Sequence, residues 1–318
     1  MGPSVTFDDV RAAEARIRGL VRRTPVLTSS VLDERAGARL FFKCENFQKA
    51  GVFKARGAHN AVFALSEDEA AAGVLTHSSG NHGAALSLAA RRRGIPAHIV
   101  VPEGASAAKV EAIRRYGGQV TFSPATLPGR EAAAARIRGE TGARLVHPYD
   151  DPLIIAGQGT AALELLAEVP GLEAVVAPVG GGGLLSGTAL AAKGLDPRLR
   201  VFGAEPAGAD DAARSLAAGR FIPQENPRTI ADGLRTSLGQ LTFPILRERL
   251  EGVLTVPEDE IVEAMRLAWQ VMKIVIEPSS AVPLAALLGS GSPLRGRRVG
   301  VILSGGNVDL DRLPWIKA

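Results

Sequence analysis

The chain has 318 residues, 46% hydrophobic and 22% charged, with a formal net charge of +4, a balance that suits one large or two medium soluble domains. The positive charge is spread along the chain, and short clusters such as Arg91-Arg92-Arg93 close a helical pattern where cations suit the dipole, so no nucleic-acid partner is expected. A single cysteine, Cys44, excludes an internal disulfide and a cysteine-rich metal site; the absence of a basic-then-apolar leader and of a spanning apolar run predicts a cytoplasmic protein away from membranes.

In chain order, residues 8–19 read as a helix, 24–30 as an extended stretch that then caps a short helix, and 40–44 as a strand. A loop carrying Gly51 leads into a helix that begins at Lys54. Strands and helices then alternate: strand 73–76 and helix 81–93, strand 97–101 and helix 106–116, strand 119–122 and helix 130–140, strand 144–146 and helix 153–168. Strand 174–177, helix 184–193 and strand 201–204 follow, with two or three helices before a last strand at 299–303. This alternation predicts right-handed parallel crossovers and open, doubly wound α/β sheets. Ligands in such sheets sit beyond the carboxyl ends of the strands, and each polar or glycine-rich cluster lies at one of those ends.

The segment Gly51-Val52-Phe53-Lys54-Ala55-Arg56-Gly57-Ala58 sets a lysine among apolar neighbours in a chain with seven lysines and thirty arginines. Desolvation and the positive end of a helix dipole both work against its proton, which is how an amine becomes a nucleophile near neutral pH. A snorkelling surface lysine fits the same residues. Thr76-His77-Ser78-Ser79-Gly80-Asn81-His82-Gly83 brings hydroxyls, an amide and free N–H groups to a strand-to-helix seam, suited to a carboxylate or an aromatic hydroxyl, although Ser78 or Ser79 acting as a simple cap fits too.

In Pro178-Val179-Gly180-Gly181-Gly182-Gly183-Leu184, four successive glycines exceed what packing asks for, given their entropic cost. They make sense if backbone N–H groups turn toward an anion at a helix N-terminus, here a single phosphate. The run lacks the Lys-Ser/Thr ending of a P-loop and the spaced glycines of a dinucleotide fingerprint. Leu303-Ser304-Gly305-Gly306-Asn307 ends the last strand. Glu205 with Ala209 and Asp211 offers two carboxylates and a carbonyl, which suits either a hard cation or a solvated acidic loop.

Taken in order, these clusters resemble the fold-type II family of pyridoxal-phosphate enzymes, in its serine racemase and serine/threonine dehydratase branch. The likeness extends through 24–30, 42–49, 156–160, Ile230-Ala231-Asp232-Gly233 and Ile276-Glu277-Pro278. It implies a tryptophan synthase β-like arrangement of two doubly wound, mostly parallel open-sheet domains: a large one of residues 1–69 and 148–318, and a small one of 70–147 inserted in it. By resemblance, Lys54 would bond the aldehyde of pyridoxal 5'-phosphate, Phe53 would pack on its ring, and Asn81 would bond its 3-hydroxyl. Gly180, Gly181, Gly182, Gly183 and Leu184 would hold the phosphate, and Ser304 would face the pyridine nitrogen. Ser78, Ser79, Asn81 and His82, helped by Arg130, would receive the substrate carboxylate, and Ser79 would stand as a second acid/base opposite Lys54. Glu205, the Ala209 carbonyl and Asp211 match the family's site for a divalent cation (Mg2+, Mn2+ or Ca2+), and a homodimer is implied.

A neutral hydroxyl at Ser304 cannot keep the pyridine nitrogen protonated as a carboxylate would, which favours β-elimination over transamination. The implied activity is dehydration of L-serine, L-threonine or a related β-hydroxy amino acid to a 2-oxo acid and ammonia, with serine racemase and 3-hydroxyaspartate dehydratase as alternatives. Val52 departs from the serine usual before Phe-Lys, and Tyr149 from the asparagine of mammalian racemases. Ser29, Ser30, Lys49, Tyr116, Lys273 and Asn307 match the racemase's nucleotide site, whereas Arg11, Ala50 and Ala84 depart from it and argue against activation by ATP.

Overall fold

The computed structural model describes residues 5–78 and 80–316. Among the described residues ten strands form two sheets: β1 (Val26–Leu27), β2 (Arg39–Cys44), β3 (Val74–Thr76), β4 (Ala97–Pro102), β5 (Gln119–Ser123), β6 (Arg144–Leu145), β7 (Ala174–Pro178), β8 (Arg200–Pro206), β9 (Gly252–Val256) and β10 (Arg298–Leu303). The larger sheet runs β1-β2-β10-β7-β8-β9 and the smaller β5-β4-β3-β6. Every pairing is parallel except β1 with β2. The central strands read as unbroken apolar runs because helices cover both faces; all five residues of β7 are buried.

The extended stretch expected at 24–30 supplies one edge strand, and one further edge strand lies outside the expectation. The pair Val26–Leu27 is a short antiparallel edge strand, and Gly252–Val256 closes the other edge with mostly half-buried residues. Neither carries the strong apolar run of a central strand. The helix expected from Arg130 begins three residues earlier, at Leu127. Thr126 caps it through the Gly129 N–H, and Pro128 sits in the first turn, where its missing N–H costs nothing.

Close helix packing carries the lysine-bearing segment to the middle of the molecule. The Pro152–Glu168 helix lies against the Lys54–Phe63 and Gly183–Leu195 helices at glycine contacts. A Cβ on Gly157 would stand 2.6 Å from the Gly57 Cα, and one on Gly159 would stand 2.7 Å from the Gly187 carbonyl. Among the described residues no helix is long and apolar enough to cross a membrane.

Between the sheets lies a cleft of about 1580 Å3, lined by the carboxyl ends of β3 (His77, Ser78), β7 (Pro178, Gly180) and β10 (Ser304). At its rim the Lys109 amine, on the helix Ala107–Arg115 beside the smaller sheet, pairs with Asp232 from the larger half at 2.5 Å.

Candidate active site

Lys54 begins its helix with Phe53 as an N-cap that makes no side-chain cap bond. What fixes the approach is pairing with the end of β10: Val52 bridges Gly305, and the Phe53 N–H donates to the Ser304 carbonyl at 2.9 Å. The Lys54 amine reaches the cleft, donates to the Pro148 carbonyl at 2.6 Å and lies 5.0 Å from the Phe53 ring centre. Burial lowers its pKa to about 8, with the Glu277 carboxylate pulling the other way. The desolvated lysine therefore has the environment the sequence suggested, and the snorkelling alternative falls.

The glycine run corrects one expectation. Packing does require glycine at these positions. A Cβ on Gly181 would lie 2.2 Å from the Tyr149 ring, one on Gly180 2.9 Å from the Leu234 Cα, and one on Gly183 3.0 Å from the Tyr149 Cβ. Gly182 caps the Gly183–Leu195 helix at φ 89°, in the left-handed region. The run lines the cleft and is bare of side chains, and the first N–H groups of the helix lack intrahelical partners. Beside it, the Thr236 hydroxyl is buried without a partner, 3.3 Å from where a Gly180 Cβ would stand.

On the opposite wall, Ser78, Asn81, His82 and Arg130 line the cleft; Ser79 lies outside the described residues. Asn81 is committed at both ends of its amide. Its Nδ2 donates to both Glu277 carboxylate oxygens at 3.1 Å, and its Oδ1 accepts from Asn307 Nδ2 at 2.8 Å. His82 is buried, and its pKa falls well below the usual range, first through burial and then through Lys54. Its Nε2–H donates to the Val146 carbonyl at 3.2 Å, which leaves Nδ1 as an unpartnered acceptor. The imidazole thus has no proton for a carboxylate, whereas the backbone N–H groups of this helix N-terminus and the Ser78 hydroxyl can donate. Arg130 has a buried Nε without a partner.

The sequence reading did not give roles to Glu277, His147, Pro148 or Thr236. Glu277 is buried, and desolvation raises its pKa to about 7. A carboxylate set in the apolar run Ile274–Ile276 and followed by proline was the available signal. His147 accepts the Asp150 N–H at its Nδ1 at 2.9 Å, and burial lowers its pKa to about 4, so the ring is neutral. It stands edge-on to Tyr149 at 4.6 Å. One short loop, 147–149, therefore supplies the carbonyl that holds Lys54 and the ring that underlies the glycine run.

Glu205, at the end of β8, accepts from the Ala212 and Ala213 N–H groups at 3.2 and 2.7 Å, and Asp211 accepts from the Leu238 N–H at 3.0 Å. Both carboxylates are 1% exposed, and Ala209 is equally buried. Burial raises Glu205 to about 8 and Asp211 to about 6, and the Asp211 charge adds to the rise at Glu205. Among the described residues no group of three or more His, Cys, Asp or Glu gathers as a metal site. The set is two carboxylates and a carbonyl, an all-oxygen donor set of a kind that suits a hard cation.

The family model described as pyridoxal-phosphate dependent enzyme matches residues 17–305. The β-hydroxyaspartate dehydratase of Paracoccus denitrificans (strain Pd 1222) is 53% identical over 310 residues, covering 98% of each chain. Serine racemase from Dictyostelium discoideum has a crystal structure that superposes with a TM-score of 0.93 at 52% identity, covering 97% of this chain and 100% of that one. The threonine deaminase of T.th. superposes with a TM-score of 0.91 at 49% identity, covering 98% of this chain and 100% of that one.

Proposed function

The chain belongs to the pyridoxal-phosphate-dependent enzymes, in the fold-type II branch of serine racemases and serine/threonine dehydratases, and we propose that it is a dehydratase that removes water from an L-β-hydroxy amino acid. Net products are a 2-oxo acid and ammonia. The observation that carries this reading is the Lys54 amine, its pKa lowered to about 8 so that far more of it is neutral near pH 7 than of an ordinary lysine, in one cleft with the bare backbone of the glycine run. Three features fit pyridoxal phosphate: a glycine run that lines the cleft without side chains, the orphaned Thr236 hydroxyl beside it, and an amine with a lowered pKa.

In this reading Gly180, Gly181, Gly182, Gly183, Leu184 and Thr236 hold the phosphate, Phe53 lies against the ring, Asn81 meets the 3-hydroxyl and Ser304 meets the ring nitrogen. Pyridoxal phosphate, when bound, supplies an aldehyde carbon for an amine and a conjugated ring that takes up the electron pair of a broken Cα–H bond. Lys54 Nζ, neutral and freed from the Pro148 carbonyl, removes the α-proton. The backbone at Ser78, Ser79, Asn81 and His82 holds the α-carboxylate. Glu277 fixes Asn81 in place. The segment 70–147 acts as the smaller lobe, and the Lys109–Asp232 pair holds it shut to keep water out.

Arg130, with its unpartnered Nε, suits a second carboxylate on the substrate, so 3-hydroxyaspartate stands beside L-serine and L-threonine as a candidate. Racemisation is the second reading, favoured by the serine racemase relatives and dependent on Ser79. The deciding experiment is a panel of these amino acids scored for both 2-oxo acid and D-amino acid. Faster release of 2-oxo acid is expected. D-amino acid forming faster would favour the racemase, and neither product from cofactor-loaded protein would end the enzymatic reading.

Two expected results test the supporting chemistry. Capture of pyridoxal phosphate by the apoprotein should rise with pH to a midpoint at about 8, because only the neutral amine attacks. Glu277→Gln removes the charge that raises Lys54 and should move the midpoint down; a midpoint near 10.5 in wild type would contradict the desolvation account. For the cation, Glu205, Ala209 and Asp211 are the residues that would hold Mg2+, Mn2+ or Ca2+. Adding Mg2+ to chelator-stripped protein should raise Tm, and Asp211→Asn should abolish the rise. No change in wild type with any of the three ions would remove the site.

A further inference from the structure

Behind Lys54, on the side of its helix away from the cleft, lies a buried cluster of charge that the reaction does not use. Arg56 is fully buried. Its guanidinium forks onto Glu45, with Nε to Oε2 at 2.7 Å and Nη2 to Oε1 at 2.8 Å. It also forks onto Glu164, with Nη1 to Oε1 at 2.7 Å and Nη2 to Oε2 at 2.8 Å. Lys43 pairs with the same Glu164 at 2.7 Å and donates to the Thr24 carbonyl at 2.7 Å, while the Thr24 hydroxyl donates to Glu45 at 2.5 Å. Two cations and two anions thus cancel. None of these side chains lines the cleft.

Stability alone does not account for such a cluster. Taking charges out of water is costly, and well-packed apolar side chains in their place are often as stable or more so. Two bidentate forks supply direction instead, since each fixes the plane and heading of the guanidinium. That direction matters at this position. The first turn of the Lys54–Phe63 helix has no side-chain cap. Residues 54 and 56 point about 200° apart around the axis, so any roll of the turn that moves Arg56 carries the amine with it. Upstream, the chain is tied at Val52 and Phe53 to the end of β10. Downstream, Arg56 is tied to Glu45, the residue after β2 of the larger sheet, and to the Pro152–Glu168 helix through Glu164, which Lys43 of β2 also holds.

Resting on the reading of Lys54 as the reacting amine, we propose that Arg56, gripped by Glu45 and Glu164, is a positioning residue that sets the roll of this first turn and so the place of Nζ in the cleft. Arg56→Lys keeps the charge but loses the double fork, and Lys43→Met removes the other cation of the cluster without touching the helix. Each full-length variant, freed of cofactor, is given pyridoxal phosphate, and pyridoxyl mass fixed on Lys54 by borohydride is followed in time. Arg56→Lys should slow capture and lower kcat by about tenfold or more, with KM for the best substrate changed about twofold or less, whereas Lys43→Met should lower Tm and leave both rates within about threefold of wild type. If Arg56→Lys does not fold, Glu45→Gln loosens the same fork and should slow capture in the same direction. Capture at the wild-type rate in the Arg56 variant, or in Glu45→Gln where it stands in, overturns the proposal, as does an equal loss in Lys43→Met. A wild type whose Lys54 takes no pyridoxyl mass overturns the reading of the site itself, and this assignment with it.

Discussion

Replacing Lys54 by alanine should lower turnover by about 10⁴-fold or more, because the bond-forming amine and the base that takes the α-proton are lost together. Borohydride should then leave no pyridoxyl mass on the chain. The fold should survive, for a reason that lies in the same pKa. Nζ loses its proton at about 8, against 10.5 for an ordinary lysine. Keeping it charged in the folded protein at pH 7 therefore works against stability by about 3 kcal/mol, an amount reduced by whatever packing the side chain contributes. Alanine removes that cost. The sign follows from which state holds the proton: between about 8 and 10.5 the unfolded lysine keeps it and the folded one does not, so this residue's contribution improves as pH rises through that window. The apoprotein of Lys54→Ala should consequently melt no lower than wild type at pH 7. Turnover surviving in the variant, or a collapsed Tm, would separate a wrong catalytic assignment from a structural role for the side chain.

Legibility in the sequence tracked how local the cause was. The alternation of apolar runs with amphipathic helices sufficed for the parallel sheets, since each crossover is written in consecutive residues. The lysine was visible because its neighbours Val52, Phe53 and Ala55 are adjacent in sequence as well as in space. The glycine run was read correctly as a seam and incorrectly as having no packing reason: its crowding comes from Tyr149, Leu234 and Thr242, far from it along the chain. Glu277 and His147 escaped for the same reason. Their importance lies in burial and in partners that the fold brings from β3, β10 and the Asn81–Arg93 helix, and no spacing rule joins residue 81 to residue 277. The edge strand β9 was missed because a half-exposed strand of five residues lacks a continuous apolar signature.

Gly181→Ala should strike the cofactor cradle and the reacting amine with one added methyl. Its Cβ would meet Tyr149 at Cγ, Cδ1 and Cδ2, at 2.2 to 2.4 Å, far inside contact distance. The ring cannot swing clear by moving its far end, because the clash is at the root of the ring and the Tyr149 Cβ and backbone are themselves packed on Gly183. The whole 147–149 loop must shift, and with it the Pro148 carbonyl that holds the Lys54 amine. One methyl thus disturbs the phosphate cradle and the nucleophile together. Overpacking of this kind costs roughly 1–3 kcal/mol of stability, while affinity for pyridoxal phosphate should fall by about 100-fold or more, since the backbone N–H groups lose their alignment. Shrinking the obstacle tests the cause: Tyr149→Ala added to Gly181→Ala should recover cofactor affinity relative to Gly181→Ala alone, the non-additivity expected of touching residues. A double variant that binds no better than the single would place the damage in the glycine backbone itself, and wild-type affinity in Gly181→Ala would mean that the run does not hold the phosphate.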